Sequence, residues 1–139
     1  MKARLIGIWR LVSYETTDAN GRKGKPYADA IGRISYDANG NMTGQVMRPD
    51  RAHVDAGDSP AQHAKAAYLG YIAYFGTYDV AADGRSVVHH VQGSLNPAWV
   101  GGDQVRQLRF SDGTRNSHFQ QLCVSDDRVQ RSAKLMRHD

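Results

Sequence analysis

Two adjacent histidines, His89 and His90, are the residues of this chain best suited to chemistry, because an imidazole with an ordinary pKa of ~6.5 exchanges protons near neutrality. They sit in a β-rich run, Val87 to Leu95, where consecutive side chains point to opposite faces. At most one of the pair can enter an interior, so the two cannot chelate a metal together from inside. Val87, His89, Val91 and Leu95 form the more apolar face; Ser86, Val88, His90, Gln92 and Ser94 form the more polar one. An apolar core favours His89 inside, whereas a polar ligand-holding lumen favours His90, and the reading leans to His90. The inward histidine is read as a proton-transfer group, a hydrogen-bond partner for a ligand, or a structural residue.

Other side chains join this candidate site. Tyr74 and Tyr78 are four apart in the run Ile72 to Val80, so both phenols share a strand face, each with an apolar ring and a polar tip. His90 and Tyr78 are the expected catalytic pair if a reaction occurs. Gly76 between the tyrosines marks a bulge or leaves room for a ligand. Trp99 follows a turn, Asn96-Pro97, and falls at a rim. Gln104, Arg106 and Leu108 share a face of the next run; an inward Arg106 is costly unless it meets an anion, which makes it a candidate ligand anchor. Met47, with Met42, offers adaptable apolar lining. The expected ligand-binding set is therefore His89, His90, Tyr74, Tyr78, Trp99, Gln104, Arg106 and Met47.

Several chemistries find no support. The sequence has no glycine-rich phosphate loop, no His-Glu-x-x-His and no Gly-x-Ser-x-Gly elbow. His53 and His63 are ten residues apart beside a helix start, a poor ligand geometry, and the lone Cys123 makes no internal disulfide. No metal and no cofactor is expected.

The elements that must position these side chains are short. A chain of 139 residues suits one domain, and 40% hydrophobic with 23% charged residues favours a folded globular protein over a disordered or membrane one. The net charge of +4 does not imply nucleic acid, since 18 basic residues are interleaved with 14 acidic ones from end to end. No run approaches a membrane span and the start, Met1 to Trp9, lacks signal-peptide character, so a cytoplasmic location is expected. Turn signals at Asp18-Ala19-Asn20-Gly21, Asp37-Ala38-Asn39-Gly40, Asp83-Gly84 and Asp112-Gly113 divide β-rich runs into hairpins. One segment differs: Ser59-Pro60-Ala61-Gln62 is a capping box with proline at the first helical position, and it predicts a helix from Ser59 to Leu69, before Gly70. The apolar positions Ala64, Ala67, Tyr68 and Tyr71 follow the helical spacing, so one face is expected to lie on the sheet. These runs predict an all-β antiparallel barrel in one domain, residues 1–139, with one short helix over one end. Asn116 to Cys123 has weak β propensity and poor alternation, which leaves open whether a barrel strand forms there.

Four ordered segments carry a resemblance: Gly7-Ile8-Trp9-Arg10-Leu11-Val12-Ser13-Tyr14, Gln45-Val46-Met47-Arg48-Pro49-Asp50, Gly70 to Tyr78, and His89-His90-Val91-Gln92-Gly93-Ser94-Leu95-Asn96-Pro97-Ala98-Trp99. Together they resemble the bacterial and fungal lipocalin-like domain family, over about residues 5 to 110. The resemblance implies an up-and-down barrel in which Trp9 plugs the closed end and Arg137 packs over it. It implies ligand binding more strongly than any one reaction. The leading expectation is a module that binds a small, partly hydrophobic, aromatic or polyketide-like molecule. The alternatives are a cofactor-independent isomerase, cyclase or dehydratase using an inward histidine and a tyrosine, and an interaction protein that forms a homodimer through a sheet edge or the Trp99 rim. Neither nucleic acid nor membrane is an expected partner.

Overall fold

In the computed structural model, described for residues 2–27, 29–51, 55–111, 118–124 and 130–138 (backbone alone for 118–124), antiparallel strands follow one another around a closed barrel. A helical turn, α1 (Lys2–Leu5), leads into β1 (Gly7–Thr17) and the two-residue β2 (Lys23–Gly24). Then come β3 (Ile31–Tyr36), β4 (Asn41–Met47), helix α2 (Pro60–Tyr68), β5 (Tyr71–Val80) and β6 (Ser86–Ser94). A 3₁₀ turn (Pro97–Trp99) precedes β7 (Asp103–Ser111), β8 (His118–Val124) and β9 (Gln130–Arg137). Each of β3 to β8 pairs with its successor, and β1 pairs with both β3 and β9, which closes the ring. The Asp112-Gly113 turn and His53 lie outside the described residues.

The atypical segment carries a strand over its described part, His118–Val124. β8 pairs along its whole length with β9, from His118↔Met136 to Val124↔Gln130, and with β7 through five further pairs. Two flanking ladders impose extended geometry on residues whose own β preference is weak, because β propensity is largely a report of context.

The inner face fills by simple alternation. Trp9, Leu11, Ile34, Tyr36, Met42, Tyr78, Val87, Leu108 and Leu135 are buried in one cluster. One end is plugged by Trp9, fully buried, whose indole Nε1 donates to the Leu5 carbonyl at 2.7 Å. The Arg137 guanidinium lies 4.5 Å from the Trp9 ring centroid, as the resemblance implies, and donates to the carbonyls of Ile6 and Arg4, each at 2.9 Å. The first glycine of the Gly-x-Trp opening has a reason here. Gly7 takes φ +138°, and a Cβ at that position would stand 2.6 Å from Arg137 Nη1.

The opposite end is where β3, β4 and β5 meet at Ile31↔Met47↔Tyr71. The β4–β5 connection there carries α2, which begins on the expected capping box: Gln62 N–H donates to Ser59 Oγ, and Ser59 N–H to Gln62 Oε1. Gly70 follows with φ +76°. The expected apolar face of this helix does not settle on the sheet: none of its residues is buried, and Tyr68 is 44% exposed. Arg51 ties it back, donating to the Ala67 carbonyl at 3.1 Å. Alanines bury too little apolar area to draw a short helix onto a curved sheet. No helix among the described residues is long and apolar enough to cross a membrane.

The plug should dominate stability. Trp9→Ala is expected to cost about 3–5 kcal/mol and Arg137→Leu about 1.5–3 kcal/mol, the latter through charged hydrogen bonds lost to backbone carbonyls. Urea unfolding followed by far-UV circular dichroism measures both, and an Arg137→Leu protein as stable as the parent would contradict the assignment.

Candidate functional site

The interior beyond the plug is organised around His89, the one polar or charged residue among those described that is fully buried. β6 places Val87, His89 and Val91 inward and leaves His90 outside, which corrects the leaning toward His90. The more apolar face of the run is the inner one, as hydrophobic burial requires. Both ring nitrogens of His89 are engaged by phenols: Tyr36 Oη lies 2.7 Å from Nε2 and Tyr74 Oη 2.8 Å from Nδ1. A neutral imidazole has one N–H and one lone pair, so one tyrosine donates to the ring and the other accepts from it. Burial, followed by the positive charges of Arg106 and His90, holds the His89 pKa down to about 3. The ring is neutral at physiological pH.

Outside the wall, His90 meets two carboxylates. Its Nδ1 lies 2.7 Å from Asp103 of β7 and its Nε2 2.9 Å from Asp79 of β5. These hydrogen bonds, Asp103 first, raise its pKa above the ordinary value. The cross-strand pairs Thr77↔His90↔Asp103 and Asp79↔Val88 put these three side chains on one outer patch, away from the lumen.

A bulge shapes the open end. Phe75↔Gly93 is followed by Gly76↔Val91, so Gln92 is an extra residue in β6. The shift turns Ser94 to the same face as Tyr74. Gly76 is needed at this place, since a Cβ there would run into the His90 main chain. After the bulge the chain folds back on β6: Val91 N–H donates to the Gly102 carbonyl and Gly101 N–H to the Val91 carbonyl, both at 2.9 Å. This return brings Trp99 edge-on to Tyr74, with ring centroids 5.6 Å apart. β7 adds Gln104 and Arg106, which alternate inward with the buried Leu108.

The structure therefore gathers His89, Tyr74, Trp99, Gln104 and Arg106 at one place and leaves three expected residues elsewhere. His90 is on the outer face. Tyr78 is inward, but its hydroxyl donates to the Asp37 carbonyl at 2.8 Å in the β3–β4 turn, near the plugged end. Burial and the Asp37 carboxylate push its phenol further up. Met47 alternates with inward Met42, Gly44 and Val46 and so faces out, where its sulfur accepts from Arg51 at 3.5 Å. Its position at an odd place in the strand decides against lumen lining. Cys123 belongs to β8, which is described by its backbone alone.

Two residues join the site without having been singled out. Tyr36 ends a run in which Ile34 and Tyr36 alternate inward, a signal open to a period-two reading. Gly44 faces the lumen, and the space above it belongs to a cavity of about 50 Å³ bounded by Leu11, Ile34, Val46, Ile72, Tyr74 and Leu135. A Cβ at Gly44 would lie 3.6 Å from the Tyr74 ring, at ordinary contact.

Among known proteins, the sequence model of the lipocalin-like domain family matches residues 6–137 of this chain. No curated protein and no solved structure matches it significantly.

The two histidines should leave opposite marks on stability. His89 has a folded-state pKa below its unfolded value, so the unfolded chain takes up a proton first and stability falls as pH drops below ~6.5, by about 2 kcal/mol at pH 5. His90 has a raised folded-state pKa, so its contribution is full below ~6.5 and fades as pH rises through the folded value. In urea unfolding from pH 7 to pH 5, His90→Asn is expected to steepen the loss of stability relative to the parent and His89→Gln to flatten it. Parallel pH profiles for the three proteins would contradict both assignments.

Proposed function

The chain belongs to the lipocalin-like domain family, a fold that fits small-molecule binding in general, and from that premise we propose that it binds a small, partly hydrophobic molecule at the open half of the barrel. The observation that carries this reading is the meeting of Tyr74, Trp99 and the apolar cavity over Gly44. A core built only for stability would fill the place opposite Tyr74 with a side chain, since interiors pack to crystal-like density. About 50 Å³ is far below the few hundred cubic ångströms that bury a drug-sized molecule, so the cavity takes the inner end of the ligand. The remainder lies along the rim, against the Trp99 and Tyr74 rings, whose flat apolar surfaces and polar edges suit an aromatic or unsaturated body.

The geometry favours binding over proton-transfer catalysis. An imidazole whose pKa is held near 3 has little power to take a proton from carbon, and both its nitrogens are occupied by phenols. His89 serves instead as the support that fixes Tyr74. Tyr74, half-buried between imidazole and rim, is the side chain that meets the ligand.

A library of small aromatic fragments screened by ligand-observed NMR, with quenching of Trp99 fluorescence as the second readout, tests this. Fragments that bind are expected to lose about tenfold or more in affinity in Gly44→Leu, which fills the cavity, while Gly44→Ala, at ordinary contact distance, binds nearly as the parent does. Hits indifferent to Gly44→Leu would place the binding surface elsewhere.

A further inference from the structure

Arg106 is a charged side chain on the inner face of the barrel wall, between Gln104 and the buried Leu108. Its hydrogen bonds are weak for a guanidinium: both terminal nitrogens share the Gln104 Oε1 at 3.4 Å, and Nη1 also reaches the Val105 carbonyl at 3.3 Å. Among the described residues it faces no carboxylate. Arg137, by comparison, takes two backbone carbonyls at 2.9 Å. Arg106 is directed inward with long, neutral contacts, although a half-buried guanidinium gains most from a charged acceptor.

We infer that Arg106 is the anchor for an anionic group, and that the ligand is a small carboxylate whose apolar body lies against Tyr74 and Trp99. This rests on the binding reading above and adds the ligand's charge class. The planar fork of the guanidinium matches the two oxygens of a carboxylate, which Gln104, its amide oxygen released, supplements with its own N–H donors. Gln104 pairs with His89 across the β6–β7 ladder, and the Tyr74 hydroxyl reaches that imidazole from β5. The neutral imidazole matters here. It leaves Arg106 as the positive group at the centre of the site and adds no second cation that water would have to solvate.

Matched pairs of a carboxylate and its uncharged amide decide the matter: benzoate with benzamide, cinnamate with cinnamamide, octanoate with octanamide. Affinities are measured by ligand-observed NMR and calorimetry on the full chain. In the parent protein the carboxylate of at least one pair is expected to bind about 10- to 100-fold more tightly than its amide. Arg106→Gln should erase that preference, bringing the carboxylate's affinity to that of its amide, and Arg106→Lys, which keeps the charge and loses the fork, should retain part of it. The parent's own preference needs no variant, so a misfolded Arg106→Gln does not weaken the test. Amides that bind as tightly as their acids would overturn the anionic assignment while leaving the binding reading intact. Failure of all six compounds to bind would overturn the binding reading and this inference with it.

Discussion

An imidazole taken entirely out of water must be neutral, and it must have partners for both nitrogens or forfeit the hydrogen bonds that water supplied. His89 meets both conditions through two phenols that reach it from different strands, Tyr36 of β3 and Tyr74 of β5, while its own backbone belongs to β6. The three-residue chain crosses the lumen and ties non-adjacent parts of the wall together. Removing either hydroxyl leaves a buried nitrogen unpaired, at a cost of about 1–3 kcal/mol. The ring also divides the interior. On its plugged side lie Tyr36, Tyr78 and Trp9; on its open side lie Tyr74, the cavity over Gly44 and the Trp99 rim.

The two ends of the barrel answer to different physical demands. At the plugged end every device adds stability: a buried indole with its N–H satisfied, an arginine spread over the indole and bonded to two carbonyls, and a glycine that makes room for it. Cation–π packing and charged hydrogen bonds act together there. At the open end the devices keep space or leave groups underused. Gly44 withholds a side chain, the Gln92 bulge redirects the wall, α2 stays exposed, and Arg106 makes long, neutral contacts among the described residues. Stability and binding are thus separated along one axis. A ligand can exploit the second region without disturbing the first.

Much of this was legible from residue types. The Asn-Gly turns, the Asp83-Gly84 turn, the capping box at Ser59 and the alternation of Gln104, Arg106 and Leu108 each act locally, so the sequence shows them directly. The inward histidine was the harder case. Parity says that His89 and His90 face opposite ways, but only the balance of apolar neighbours says which faces in. Val87, Val91 and the burial they gain decided it. The bulge at Gln92 reverses parity beyond Val91, so Ser94 and not Leu95 shares the Tyr74 side, which alternation alone cannot reveal. β8 takes its order from β7 and β9 and not from its own residues. Tyr36, fifty-three positions before its partner, became visible only when the barrel closed.

The account stands on His89 being a neutral, doubly held ring inside the barrel while His90 is an ordinary titrating ring outside it. Nitrogen-15 NMR of the histidine side chains across pH 5 to 8 measures this directly. His89 is expected to show one fixed neutral tautomer, with distinct Nδ1 and Nε2 shifts that do not move over the range. His90 is expected to titrate with a midpoint above 6.5. A His89 ring that titrates near 6.5, or exchanges between tautomers, would contradict the central claim.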